Sequence, residues 1–123
     1  MKAILLVFLG GGLGSLARYG ISLLVKTGVQ GVFPLATLLS NIISCIVLAL
    51  LAGSLAHRVA DKPGLVLFMV VGFCGGFSTF STFSFETIEL IRNGHTAYAL
   101  ANVAVSVIAC LGVIYLLVKP ASV

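Results

Sequence analysis

Four long apolar runs, separated by short polar interruptions, dominate the chain. They extend roughly from Ala3 to Val25, Phe33 to Ala56, Gly64 to Ile91 and Thr96 to Val118. Each is close to the ~20 residues that a helix needs to cross a bilayer. The pattern therefore predicts four membrane-spanning helices. The interruptions carry chain-turning residues: Thr27-Gly28-Val29-Gln30-Gly31, Asp61-Lys62-Pro63-Gly64 and Arg92-Asn93-Gly94-His95. Pro34 suits the first turn of the second helix, where its missing N–H does no harm. The third run is the longest and contains Gly75-Gly76. That pair predicts a break near its middle, giving two half-helices.

Composition agrees with a membrane setting. The 123 residues are 60% hydrophobic and only 8% charged, too little polar surface for a soluble domain of this size. The fold class expected is all-α integral membrane, one four-helix transmembrane domain over residues 1–123, in contact with the lipid bilayer. Lys2, a short apolar run and Ser15-Leu16-Ala17 fit a cleaved leader loosely. The apolar character resumes directly after Arg18, so a retained first span is expected. The net charge of +4 comes from seven scattered basic residues against three acids. They form no stripe or aromatic platform for nucleic acid, and suit anchoring at lipid headgroups.

Charge also bears on topology. With four spans, Lys2, Arg58, Lys62 and Lys119 fall on one side, and Arg18, Lys26 and Arg92 on the other. So even a distribution gives the positive-inside rule no firm orientation to act on. Insertion both ways, with antiparallel self-pairing, then stands beside a single orientation set by weaker cues.

The glycine-rich start admits two readings. Gly12-Leu13-Gly14-Ser15-Leu16-Ala17 matches a dinucleotide fingerprint, but no acid follows about twenty residues on and no βαβ alternation surrounds it. Gly10/Gly14 and Gly11/Ser15, four apart, fit close packing of membrane helices instead. Arg18 next to them reads either as a snorkelling anchor or as a positive charge at an anion vestibule. Asn41, in the second run beside Ser40, needs partners for its amide. It can tie two helices together or donate to a permeating anion. Cys45, Cys74 and Cys110 show no metal-ligand or redox spacing and read as small buried hydrophobes. His57 and His95 flank apolar runs and read as interfacial residues, not ligands.

Most of the chemistry lies between Gly72 and Glu86, where hydroxyls, four further phenylalanines after Phe73 and an acid sit inside an apolar run. Unpaired polar groups facing lipid would cost several kcal/mol in all, so they are expected to face a partner helix or a water-filled path. At about 100° per residue, Gly75, Thr79, Thr82 and Glu86 share one helical stripe, with Phe80 and Phe83 beside it. Hydroxyl and amide donors with ring edges present positive partial charge, which favours an anion. The argument points to anions without singling one out.

Three stretches together carry a family likeness: Gly11-Gly12-Leu13-Gly14-Ser15-Leu16-Ala17-Arg18-Tyr19, Pro34-Leu35-Ala36-Thr37-Leu38-Leu39-Ser40-Asn41, and Gly72 through Glu86. In these, in length and in four-span layout, the chain resembles the Fluc (CrcB-type) fluoride channels of bacteria. The resemblance implies a passive, fluoride-selective channel in the cell (inner or plasma) membrane that confers fluoride resistance. It implies an antiparallel dual-topology homodimer with two fluoride pathways. On it, Phe80 and Phe83 match pathway phenylalanines, Asn41 the pore asparagine, Ser81, Thr82 and Ser84 pathway hydroxyls, and Glu86 an acid beside the pathway. Tyr98, Asn102 and Ser106 are candidates for the polar track of the fourth helix, and Arg18 for the vestibule. The resemblance also implies a structural sodium ion at the dimer centre, held by backbone carbonyls at Gly75 and Ser78.

Other classes fit less well. A proton-coupled small multidrug exporter of similar size needs an acid in its first span, and none lies between Met1 and Gly31. A cofactor-anchoring subunit needs ligands within the spans, whereas His57 and His95 lie at their ends. No nucleophile–base pair suggests an enzyme.

Overall fold

A computed structural model describes residues 1–28 and 31–118. Val29 and Gln30 of the first expected connection, and Lys119 of the charge count, lie outside the described residues. The elements follow in order as α1 (Lys2–Gly28), α2 (Leu35–Ala52), a single turn α3 (Ala56–Val59) and α4 (Pro63–Val66). A π-helical stretch, Leu67–Cys74, continues α4 into α5 (Gly75–Phe77). After a two-residue break come α6 (Phe80–Arg92) and α7 (Thr96–Leu117). Four of the resulting spans are long and apolar enough to cross a membrane: Lys2–Gly28, Leu35–Ala52, Pro63–Arg92 and Thr96–Leu117.

The second span is shorter than its apolar run. Pro34 is the cap and not the first helical residue, and Gly53 ends the helix, its N–H donating to the Ala49 carbonyl at 2.8 Å. A side chain at Gly53 would come within 2.7 Å of the Leu117 carbonyl, so glycine there lets the ends of α2 and α7 meet.

The tightest seam joins α1 to the first half of the third span. Added Cβ atoms at Gly10 and Gly14 would overlap the carbonyls of Phe68 and Phe73, and one at Gly76 would overlap that of Gly11. At Gly72 the added atom would come 2.9 Å from the Gly10 Cα. Gly10/Gly14 thus meets Gly72/Gly76, two small-residue pairs at spacing four, which brings backbones together as expected of membrane helices. The would-be nucleotide fingerprint lies in the middle of continuous α1, with no strand before it. Few apolar side chains are buried among the described residues, Leu38, Phe77 and Leu90 among them. Many others, such as Phe8, Leu16, Leu24, Ile108 and Leu116, point outward. Such a surface suits hydrocarbon, where the apolar faces of helices need no cover.

The break corrects the sequence expectation in one respect. Gly75 and Gly76 are helical, and the chain straightens instead at Ser78 (φ −76°, ψ 155°) and Thr79 (φ −153°, ψ 117°). Gly76 is glycine because it lies against the Gly11 carbonyl, not because it interrupts the helix. Thr79 makes the new start: its Oγ1 accepts from the Thr82 N–H at 3.2 Å as the N-cap of α6.

Candidate functional site

Two residues of α2 hold the break in place. Asn41 Nδ2 donates to the Thr79 carbonyl at 3.2 Å, and the Thr79 N–H donates to Asn41 Oδ1 at 2.7 Å. One asparagine therefore satisfies both backbone groups of a residue that has left the helix. One turn earlier in the third span, the Cys74 carbonyl accepts from Ser44 Oγ at 3.1 Å, Ser78 Oγ at 2.8 Å and the Ser78 N–H at 3.0 Å. From α1, Ser15 Oγ and Arg18 Nε reach the Gly76 carbonyl at 3.5 and 3.4 Å. Arg18 thus sits inside the first span rather than at its end. Ten residues of α1 follow it, a rise of about 15 Å.

Beyond the break, α6 starts against a cavity of about 330 Å3. Asn41, Ser78, Phe80, Phe83 and Ser106 line it, so five of the sequence candidates come together. Thr79 lines it as well. Its Oγ1 donates to Thr82 Oγ1 at 3.0 Å and lies 3.3 Å from Ser81 Oγ, which makes it the hub of the hydroxyl ladder. The amides of Phe80 and Ser81 donate to no protein group among the described residues. Free N–H groups and the positive end of a 13-residue helix point the same way, towards negative charge. Phe80 is 78% exposed and its ring lies 5.5 Å from that of Phe83, tilted by 36°.

The remaining candidates fall elsewhere on α6 and α7. Asn102 is fully buried, and its Nδ2 donates to Thr87 Oγ1 at 3.0 Å while Ser106 Oγ donates to its Oδ1 at 3.4 Å. Thr87 donates in turn to the Phe83 carbonyl at 2.7 Å. Asn102 therefore ties α7 to α6 behind the cavity and does not line it. Ser84 Oγ donates to the Phe80 carbonyl at 2.9 Å, within its own helix. Glu86 opens on a second cavity of about 380 Å3, shared with Glu89, Asn93 and His95. Its Oε2 is buried and without a hydrogen-bond partner among the described residues, and the buried Thr37 hydroxyl lies beside the carboxyl. Tyr98 packs edge-on to His95, at a ring distance of 6.0 Å. From Phe80 to Glu89, α6 thus runs from one cavity to the other, about 14 Å at 1.5 Å per residue.

The model of the CrcB-like protein family, described as Camphor Resistance (CrcB), matches residues 5–118. The chain belongs to this family. Among its relatives, a protein of Pyrococcus abyssi is 43% identical over 94% of this chain and 93% of its own. One of Flavobacterium psychrophilum is 41% identical over 87% and 86%. One of Chlorobium phaeobacteroides is 45% identical over 88% and 83%. Each of the three is named a fluoride-specific ion channel, FluC.

Sequence reasoning missed part of what family membership and geometry bring together. Thr79 lay on the expected stripe but was not among the site candidates. A threonine three residues ahead of Thr82, before an amphipathic run, is the signal of a helix cap that would have found it. Cys45 and Cys110 line the first cavity at intermediate exposure, while only Cys74 is buried. Nothing in their spacing along the chain marks them as neighbours.

Proposed function

We propose that this protein is a fluoride-selective channel of the cell membrane, which lets cytoplasmic fluoride leave passively and so confers fluoride resistance. Its relatives are named as channels, not enzymes, and full-length likeness carries that name to this chain. The observation that carries the reading in the structure is the cavity at the start of α6. There the side chains of Asn41, Ser78, Thr79, Ser106, Phe80 and Phe83 line one cavity within a membrane span, beside the unpaired N–H groups of Phe80 and Ser81. Compact donors favour a small, hard anion, and sites of moderate strength let it move on. Fluoride enters cells as neutral HF and ionises within. A negative interior then drives the anion outward with about 2.3 kcal/mol per charge for each 100 mV. Arg18, drawn onto the Gly76 carbonyl, keeps a positive charge near the break without placing it in the path.

The working unit in this proposal is an antiparallel dual-topology homodimer. The exposed face of Phe80 and the even distribution of basic residues support it. A structural sodium ion would join the two protomers. The Gly75 and Ser78 carbonyls accept no hydrogen bond among the described residues, and Gly75 faces open space. Unpaired oxygens at an interrupted helix fit a hard cation. Bound there, the ion supplies positive charge that holds the broken helices of both protomers together. Light scattering in detergent is expected to give twice the 12.7 kDa protomer mass in sodium. Dissociation on replacing sodium by a bulky organic cation supports the ion's role; a monomer in both conditions overturns the dimer.

Liposomes containing the purified protein are expected to release fluoride quickly and chloride slowly, as followed with ion-selective electrodes. Phe80→Ile and Phe83→Ile are expected to slow fluoride release more than Phe8→Ile, since Phe8 is equally exposed but lies on α1 away from the cavity. Equal release of both anions removes the selectivity, and equal effects of the three substitutions remove the ring-lined path.

A further inference from the structure

Cys45 on α2 and Cys110 on α7 are free thiols at intermediate exposure, and both line the cavity that also holds Asn41, Phe80 and Phe83. The placement follows from the helices. Cys45 stands one turn beyond Asn41, and Cys110 one turn beyond Ser106, so each shares a face with a residue of the cavity wall. α2 and α7 pack against each other along this face. The third thiol, Cys74, is buried beside the Ser44 hydroxyl.

We propose that Cys45 and Cys110 form a two-thiol site for one soft metal ion, of the Hg2+ class, and that an ion bound there obstructs the pathway. Soft thiolate ligands select soft metals, and two facing sulfurs suffice for an ion that prefers two ligands. No group of three or more metal-ligating side chains exists among the described residues, so a four-ligand zinc-type site has no basis here. The step is a ligand exchange without change of oxidation state. Two S–H bonds break, two sulfur–metal bonds form, and two protons leave for water in the cavity. The bound ion then lies about one helical turn, ~6 Å, from Asn41 and Ser106. It narrows the cavity and fixes α2 to α7. Hard cations such as Mg2+ gain nothing from sulfur and are expected to leave the protein unaffected.

Binding at this site does not depend on the channel reading, whereas obstruction does, so the test keeps the two apart. Mercuric chloride is added to the intact protein in detergent, followed by an excess of a monothiol and desalting, and the metal retained per protomer is counted. Wild type and Cys74→Ser are expected to keep one ion each. Cys45→Ser and Cys110→Ser each leave a single thiol and are expected to need at least ~100-fold more metal for the same occupancy, as losing one arm of a two-armed ligand predicts. Retention in both serine variants equal to wild type, or none in wild type, overturns the site. In liposomes, the fluoride efflux of each variant is compared with and without metal. Arrest in wild type and Cys74→Ser, but not in the other two, supports obstruction. Continued efflux from wild type with one ion bound overturns it. Absence of fluoride efflux before any metal is added counts against the channel reading, and the retention count still decides the site.

Discussion

Asn41→Leu is expected to slow fluoride efflux at least ~30-fold in liposomes and to lower the thermal midpoint in detergent. Leucine has nearly the same bulk but no polar atom, so the Thr79 N–H and carbonyl lose their partners at 2.7 and 3.2 Å. Each buried backbone group left unpaired costs about 1–3 kcal/mol, and water is scarce inside a bilayer. A total near the low end, about 2 kcal/mol, already moves a population ~30-fold. The chain can escape this cost only by reshaping the break, and the cavity at the start of α6 depends on that shape. Asn41→Asp separates support from conduction. Aspartate still accepts from the Thr79 N–H, so more of the stability is retained than in Asn41→Leu. It also brings a carboxylate to the wall of an anion path, where like charge opposes entry. The Thr79 carbonyl still loses its donor, so a midpoint between those of wild type and Asn41→Leu, with little efflux, is the expected pair of results. Efflux near wild type in Asn41→Asp would sink the idea that this wall carries an anion, and full efflux in Asn41→Leu would show that the tie to Thr79 is dispensable.

Much of this was legible because membranes write simple patterns. Four apolar runs became four spans, with Lys2–Gly28 and Thr96–Leu117 ending within a few residues of expectation. The presence of a break in the third span was legible too, but not its position. Gly75-Gly76 was read as the breaker, whereas Gly76, with Gly72, meets the Gly10/Gly14 pair that had been read as a packing surface, and serves to bring backbones together. The interruption came from a cap instead, at Thr79, whose hydroxyl and asparagine partner replace the helical bonds. Asn41 and Ser106, chosen as polar residues within apolar runs, and Phe80 and Phe83, chosen because they flank the polar stripe, all line one cavity. Asn102 was read as part of a polar pathway track on the fourth helix, but it is buried behind the cavity, and its partner Thr87, fifteen residues away, could not be read from spacing. The same holds for Cys45 and Cys110, which line one cavity because of how α2 and α7 pack.

The glycine seam gives the second large effect, in Gly14→Ala against Gly12→Ala. Both residues lie inside α1, where alanine favours the helix over glycine by about 1 kcal/mol. On helix propensity alone both changes stabilise. Packing separates them. A Cβ at Gly14 would overlap the Phe73 carbonyl and come within 2.8 Å of the Phe77 amide, whereas at Gly12 nothing lies within 4 Å. Those atoms at Gly14 are backbone and cannot rotate aside, so the helices must part, at a typical cost of about 1–3 kcal/mol. Gly14→Ala is therefore expected to lower the thermal midpoint by about 5 °C, and Gly12→Ala to leave it unchanged or raise it. Function should follow the same division. Ser15 and Arg18 already reach the Gly76 carbonyl only at 3.5 and 3.4 Å, so a small outward shift of α1 releases both. The freed carbonyl then lies unpaired one residue before Phe77, at the edge of the break, and Gly14→Ala is expected to reduce fluoride efflux while Gly12→Ala retains it. Equal midpoints and equal efflux for the two variants would mean that α1 is held by its flanking side chains and not by backbone contact along the glycines.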